Sequence, residues 1–306
     1  MATPANQMSQ NQHYIPVFYL KRWVGNDGQL YVYCRPHNKV NVYKKHPDAT
    51  GYVEGLYTIT GADARTERHL EGQFFRIADN DAAVALGILE TGRTAELDLH
   101  MRSAWSRFVM SLLHRNPEAV SKLKTQAASA AAQAADEFRK NYATLRQPTD
   151  PETYEQYPHK PLEHYAAQAA VLHMQGLMDH KLIGKQLNQM TWDVLPLRSR
   201  RSLLTSDRPL VMRHGMALPD FHLVLPIGPG ALFIAANDPR FAGVLSQGGP
   251  DKLVAAVNDQ IVRQARKFVW GRDERQLRFV ERRLGEKLPS SILDLPNIDS
   301  QESASR

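Results

Sequence analysis

Two kinds of hydrophobic pattern alternate along the chain. Short alternating runs rich in Tyr and Val occupy residues 29–60 and predict a small antiparallel meander. From about residue 63 to 190 the apolar residues recur every three or four positions, which is typical of half-buried helices. Strand-like runs return between 191 and 236, and two helices are predicted near 250–270 and 273–285. The chain therefore passes from strands to helices, and then back to strands and helices.

The clearest helix in the central part is predicted over residues 97–115. Its apolar stripe is formed by Leu97, Met101, Ala104, Trp105, Phe108 and Leu112. The sequence Arg-Asn-Pro at 115–117 ends it, because a residue that precedes proline avoids the α region. A further helix, either exposed or part of a projecting hairpin, is predicted over 121–145, and another over 162–189. Four prolines make the intervening segment 146–161 a loop or a subdomain junction.

This order of elements favours an α+β fold over a parallel βαβ array. We expect one domain over residues 11–288, in which an antiparallel sheet combines the N-terminal strands with strands of the C-terminal half. A large helical block, about 63–190, packs on that sheet, and the proline-rich junction at 146–161 lies within the block. The polar tail at 289–306 is predicted to be flexible.

Composition excludes several classes of protein. The chain is 42% hydrophobic and 23% charged, as expected for a globular domain with a large core. Cys34 is the only cysteine, which excludes an intramolecular disulfide and a multi-cysteine zinc site and favours the cytoplasm. The first ten residues lack the pattern of a signal peptide. The longest apolar stretch, 221–237, is interrupted by prolines and glycines, so we expect two strands rather than a membrane span.

The formal net charge is +6, which is compatible with an anionic partner such as nucleic acid or a nucleotide. Arginines are concentrated from 263 to 283, where a helical surface facing phosphate is one interpretation and an ordinary solvated surface is the other. Charge alone does not choose between these two.

His13 is the first candidate for chemistry. It lies in the sequence Gln-His-Tyr-Ile-Pro at 12–16, directly before an aromatic run that includes Tyr19 and Trp23. A histidine there can act as a general acid or base or bind a metal, since its charge changes near neutral pH. It can equally be a core histidine whose ring bonds a backbone carbonyl. We expect the apolar side chains to pin this segment into the core beside Thr205, Ser206 and Asp207.

Asp207 and Arg115 are the next candidates. Asp207 follows a strand-like run and precedes Pro209, so it can hold a metal, orient a histidine or act as a base. The alternative is turn chemistry, in which Ser206 and Asp207 bond the nearby backbone. The helical repeat places Arg115 on the apolar side of its helix, in the direction of Leu97. A buried arginine needs an acidic or carbonyl partner. It is therefore either a structural tie or an anion clamp.

The ordered combination of several segments resembles an uncharacterised prokaryotic family, the domain of unknown function 4238. The resemblance covers nearly the whole chain. The matching residues are Gln12, His13, Pro16, Tyr19, Leu20, Arg115, Pro117, Thr205, Ser206, Asp207, Pro209, Pro226 and Asn258. This chain has Gly228 where a serine is expected in the family pattern. The resemblance implies that His13, Asp207 and Asn258 belong to one polar signature, and it implies no substrate.

Two hypotheses of function follow. The first is a phosphodiester hydrolase, a nuclease or nucleotide hydrolase, for which a divalent metal is a compatible cofactor. The catalytic residues would be His13, Asp207, Arg115 and Asn258. His13 would be the general acid or base, and Asp207 would orient it or bind a metal. Arg115 would be an anion clamp, and Asn258 would position Asp207 or donate to the substrate. The binding residues would be Gln12, Tyr19, Thr205 and Ser206. The second hypothesis is a non-catalytic module that binds or senses nucleic acid or a nucleotide, in which the same residues hold the fold together.

Overall fold

The computed structural model describes residues 11–58, 75–158, 161–213 and 215–286. Its strands and helices are, in chain order, β1 (Asn11–His13), α1 (Val17–Leu20), β2 (Leu30–Cys34), β3 (Asn41–Lys45), β4 (Tyr52–Glu54), α2 (Arg76–Leu89), α3 (Leu99–His114), α4 (Pro117–Lys140), α5 (Tyr142–Leu145), α6 (Leu162–Met178), α7 (Lys181–Gln189), β5 (Thr191–Pro196), β6 (Thr205–Ser206), β7 (Val211–Met212), β8 (His222–Gly228), β9 (Ala231–Ala236), α8 (Phe241–Gln247), α9 (Pro250–Gln264), β10 (Phe268–Gly271) and α10 (Leu277–Glu281).

Antiparallel sheets and a large helical block confirm the α+β prediction. One sheet has the strand order β3-β2-β10-β6, so the N-terminal hairpin is extended by strands from the C-terminal half, as expected. A second sheet has the order β5-β9-β8-β7, and β1 pairs with β4 in a separate two-stranded ribbon. The predicted strand at 55–60 is wrong in its described part, because residues 55–57 form a turn after β4.

The helical block begins with α2, although the first part of the helix predicted from residue 63 lies outside the described residues. The segment at 115–117 both ends α3 and starts α4: Asn116 accepts a hydrogen bond from the Ala119 N–H and Pro117 takes the first helical position. The predicted helix at 162–189 is two helices, α6 and α7. The chain turns at Asp179, and the His180 ring caps α7 by accepting from the Ile183 N–H.

The second sheet is covered on both faces, which explains why β8 and β9 are apolar without alternation. Leu223, Leu225 and Phe233 face the helical block. Val224 and Ile234 face the opposite way, against α8 and α9. The elements that were not predicted are all short: β1, α1, β4, α8 and β10. The tail at 289–306 lies outside the described residues.

Candidate functional site

The N-terminal segment is held in the core by its aromatic side chains. Tyr14 and Ile15 are almost fully buried, and the amide groups of both donate to the Gly51 carbonyl. The Tyr19 hydroxyl lies 2.8 Å from the Thr205 Oγ1 and donates to the Pro226 carbonyl at 2.6 Å. Since Thr205 is in β6 and Pro226 in β8, this one hydroxyl connects the two four-stranded sheets. Tyr19 and Thr205, which sequence analysis assigned to binding, are therefore linking residues inside the core.

Gln12 and His13 occupy β1 with different surroundings. The buried Gln12 side chain accepts from the Tyr57 N–H at 2.5 Å. The half-exposed His13 ring places Nε2 3.1 Å from the Asp48 carbonyl oxygen. Because a carbonyl only accepts, Nε2 carries the hydrogen in the neutral ring, and Nδ1 retains its lone pair. Burial lowers the pKa of His13, and the Asp48 carbonyl only partly opposes this effect. A neutral histidine with a fixed tautomer is the form required of a general base.

Arg115 is buried at the C-terminal end of α3, as its helical position predicted; its exposed fraction is 1%. Its Nη1 donates to Asp79 Oδ1 at 3.0 Å. Its Nε and Nη2 are also buried, and they have no hydrogen-bond partner among the residues that the structure describes. Phe75 and Phe108 approach the guanidinium with ring centroids 6.0 and 5.9 Å away. Two spare donors on a cation are suited to the oxygens of an anion, and an anion would reach them once the side chains that enclose the guanidinium move.

Asp79 is the acidic partner that Arg115 required, and sequence analysis did not identify it. It lies in the first turn of α2 and keeps 27% of its side chain exposed. Burial raises the pKa of Asp79, while Arg115 and His13 both act to lower that pKa. Tyr57 connects the backbones of Arg115 and His13. Its hydroxyl donates to the Arg115 carbonyl at 3.2 Å and lies 3.5 Å from the His13 carbonyl oxygen.

We call His13, Asp79 and Arg115 the His-Asp-Arg cluster. It combines a neutral base, a carboxyl group of raised pKa and an arginine, and each of its two acid-base groups changes the pKa of the other. Groups of this kind are typical of sites that transfer protons next to a bound anion.

Asp207 has a different environment. Its carboxylate accepts three backbone hydrogen bonds, from Arg266 at 2.9 Å, Lys267 at 2.6 Å and Phe268 at 3.1 Å. Burial raises the pKa of Asp207, and the three donors act in the opposite direction. The neighbouring Ser206 Oγ accepts from the Arg208 N–H at 3.1 Å. These contacts match the turn alternative for Ser206 and Asp207, in which the side chains shape the backbone.

Asn258 also binds backbone groups. Its Oδ1 accepts from the Leu204 N–H at 2.8 Å, and its Nδ2 donates to the Ser202 carbonyl at 2.9 Å and to Gln276 at 3.0 Å. These bonds position the chain that enters β6. Among the catalytic candidates, the described contacts thus bring His13 and Arg115 together, and they direct Asp207 and Asn258 to other partners.

Within the described residues, no group of three or more His, Cys, Asp and Glu side chains is arranged to hold a metal ion. In the described part of the chain, no helix is both long enough and apolar enough to cross a membrane.

Most of the chain matches a known protein family. No curated protein and no solved structure matches the chain. A family model described as "Protein of unknown function (DUF4238)" matches residues 11–275, which is most of the sequence and includes the whole His-Asp-Arg cluster. The chain therefore belongs to the DUF4238 family of proteins of unknown function.

Proposed function

We propose that the His-Asp-Arg cluster hydrolyses a phosphodiester in nucleic acid or a nucleotide. The observation that carries this proposal is the buried Arg115, which has two donor nitrogens without a partner in the described residues and lies beside a neutral histidine. Arginine is the side chain best suited to bind phosphate through two parallel hydrogen bonds. The basic composition of the chain agrees with an anionic substrate.

In this proposal His13 is the general base. Its Nδ1 takes a proton from water while the water oxygen forms a bond to phosphorus, and the bond from phosphorus to the leaving oxygen breaks. The leaving oxygen receives a proton from the Asp79 carboxyl group, whose raised pKa favours the protonated form more than in an exposed aspartate. The products are a phosphate monoester and an alcohol. Arg115 stabilises the negative charge on the phosphoryl oxygens.

The test is hydrolysis of RNA, DNA and cyclic or linear nucleotides by the full chain, with and without Mg²⁺ or Mn²⁺. We expect His13→Gln to lower kcat by about a hundredfold or more, which is the usual contribution of a general base. The matched control is His37→Gln, because His37 is an exposed histidine of the loop before β3. Asp79→Asn keeps the shape of the carboxyl group and tests proton donation. Activity that survives in both His13→Gln and Asp79→Asn, in folded protein, would exclude the assignment.

A second candidate function is a non-catalytic module that binds nucleic acid. The backbone contacts of Asp207 and Asn258 favour it, because they leave the family signature with a structural explanation. The exposed Arg272, Arg275 and Arg278 form no ion pair in the described part of the chain and could contact phosphates.

The two functions predict different responses to the same variants. A binding module should lose affinity for a nucleic acid when Arg275 and Arg278 are both changed to Glu, and its affinity should fall as salt concentration rises. Arg139→Glu is the control, since Arg139 is an exposed arginine at the end of α4. Binding without cleavage, unchanged by His13→Gln, would favour the module over the hydrolase.

A further inference from the structure

Helix α6 lacks charge along its whole central part. From His164 to Met178 there are fifteen consecutive residues without Asp, Glu, Lys or Arg. One face of the helix is buried against α4 and α3, through residues that include Ala167, Ala170 and Met174. A helix on the surface of a protein usually carries charged side chains on its other face. The outward face of α6 instead carries two exposed polar residues, Gln168 and His173, at its two edges, and its middle is apolar. That apolar middle is suited to contact with another apolar surface.

The outward face has a regular stripe. Its members, spaced three and four residues apart, are Leu162, Tyr165, Ala169, Leu172 and Gly176. This is the spacing with which one helix packs against another. Leu162, Tyr165 and Leu172 expose 40%, 42% and 67% of their surface, which is unusual for side chains of this size on one helix face. We call these five residues the α6 stripe.

Gly176 gives an independent indication. A Cβ atom built at this position would have nothing within 4 Å, so the packing of the described chain does not require glycine there. Glycine is nevertheless among the poorest helix formers, and Gly176 lies in the last two turns of a regular helix. A glycine on an exposed apolar stripe leaves a hollow, and that hollow fits a large side chain of a second helix.

The large and small residues of the stripe are arranged so that the stripe complements itself. When two copies of α6 are placed antiparallel, with the two-fold axis between Ala169 and Leu172, each Leu172 lies opposite an Ala169. In the same arrangement each Tyr165 lies opposite the hollow at Gly176. In a parallel pair, large residues would instead face large residues. Antiparallel pairing also places the opposite ends of the two helix dipoles next to each other.

We propose that the α6 stripe is the interface of a homodimer in which two copies of α6 pack antiparallel about a two-fold axis. The stripe has no charge that would repel its own copy, so a second chain suits it better than a charged partner. A helix of 17 residues is about 25 Å long, and such a strip covers less surface than the roughly 800 Å² per partner of a standard interface. The dimer is therefore weak and depends on concentration.

Sedimentation equilibrium of the full chain over a range of concentrations tests the proposal. We expect a reversible dimer that Leu172→Glu weakens by about a hundredfold or more, because the variant buries a carboxylate at the axis. Gly176→Leu fills the hollow and should also weaken the dimer, although it improves helix propensity. Leu182→Glu is the matched control, since Leu182 is 74% exposed and lies in α7 outside the stripe. Circular dichroism verifies that each variant is folded.

Disulfide cross-linking tests the orientation of the two helices. Ala169→Cys should form a cross-linked dimer, because residue 169 and its copy lie close to the proposed axis. Gly176→Cys should not, because in the antiparallel pair the two residues 176 are about 16 Å apart along the helix. The native Cys34 is buried, and its substitution by Ala removes any contribution from it. A wild-type chain that remains monomeric at all concentrations would overturn the proposal, whatever else then covers the stripe. So would a dimer that survives both Leu172→Glu and Gly176→Leu, or cross-linking through residue 176 alone.

Discussion

Replacement of Asp207 by Ala should destabilise the protein strongly. The carboxylate accepts three backbone hydrogen bonds, and each bond to a charged acceptor contributes about 1.5–3 kcal/mol. Their full sum overestimates the effect, because burial of the charge itself has a cost and water reaches some of the freed donors. We expect Asp207→Ala to lower the free energy of unfolding by about 3–5 kcal/mol, because three backbone N–H donors lose their acceptor and each unsatisfied donor costs about 1–3 kcal/mol.

Asp207→Asn separates charge from shape. The amide retains one acceptor oxygen, but it turns an NH₂ group towards at least one of the three N–H donors, so we expect a loss of about 2–3 kcal/mol. Asp273→Ala is the control, because the Asp273 carboxylate accepts a single backbone bond, from Arg275 at 3.0 Å. That variant should lose about 1 kcal/mol or less.

Urea denaturation followed by circular dichroism measures these differences, provided that the denaturant dependence stays the same among variants. A loss below about 1 kcal/mol for Asp207→Ala would refute the structural role, since it is less than one charged hydrogen bond contributes. If that variant were as stable as the wild type but inactive on a phosphodiester, Asp207 would instead belong to the catalytic residues.

Three further predictions concern the anchored segment and a buried histidine. Tyr19→Phe removes the two hydrogen bonds by which its hydroxyl connects the sheets, and it should lower the free energy of unfolding in urea by about 1–3 kcal/mol. The control Tyr165→Phe, on the exposed α6 stripe, should leave that free energy almost unchanged. Equal effects of the two variants would contradict this prediction. Deletion of residues 1–10 should leave the circular dichroism spectrum and melting temperature unchanged, and deletion of 1–20 should unfold the protein; a folded product of the longer deletion would disprove the anchoring. Burial lowers the pKa of His222 below its usual 6.5, so the unfolded chain binds more protons and stability should fall as the pH drops below about 6.5. The fall should be smaller in His222→Phe, measured by urea titration at several pH values, and an unchanged slope would argue against it.

Local patterns predicted much of the fold. The periodicity of α3, the Arg-Asn-Pro boundary and the β2-β3 hairpin all depend on neighbours in sequence, and the structure has them close to the predicted positions. The break between α6 and α7 was not predicted, because residues 177–183 contain neither proline nor glycine to mark it. β10 was missed because Phe268–Gly271 is only four residues long and follows a helix without a strong turn signal.

The candidate site was predicted only in part, since it depends on contacts between distant segments. The need of Arg115 for an acidic or carbonyl partner followed from its position on the apolar side of α3. The identity of that partner did not, because Asp79 is one of several acids near the start of α2 and only packing selects it. Asp207 and Asn258 were assigned to one site with His13 because they share a family signature, but a shared signature does not distinguish residues that hold the backbone from residues that bind a ligand.

The contacts of the Tyr19 hydroxyl also have a consequence for the order in which parts of the chain fold during synthesis. Its two partners lie 186 and 207 residues later in the chain, and β2 pairs with β10, which follows later still. The aromatic N-terminal segment therefore leaves the ribosome long before the strands that bury it exist. The free-energy cost of closing such a loop rises only slowly with its length. The long sequence separation nevertheless delays folding, and apolar surface stays exposed until the contacts form. This N-terminal segment is therefore among the last parts of the described chain to be buried, and its apolar side chains stay exposed to aggregation until residue 271 of β10 has been synthesised.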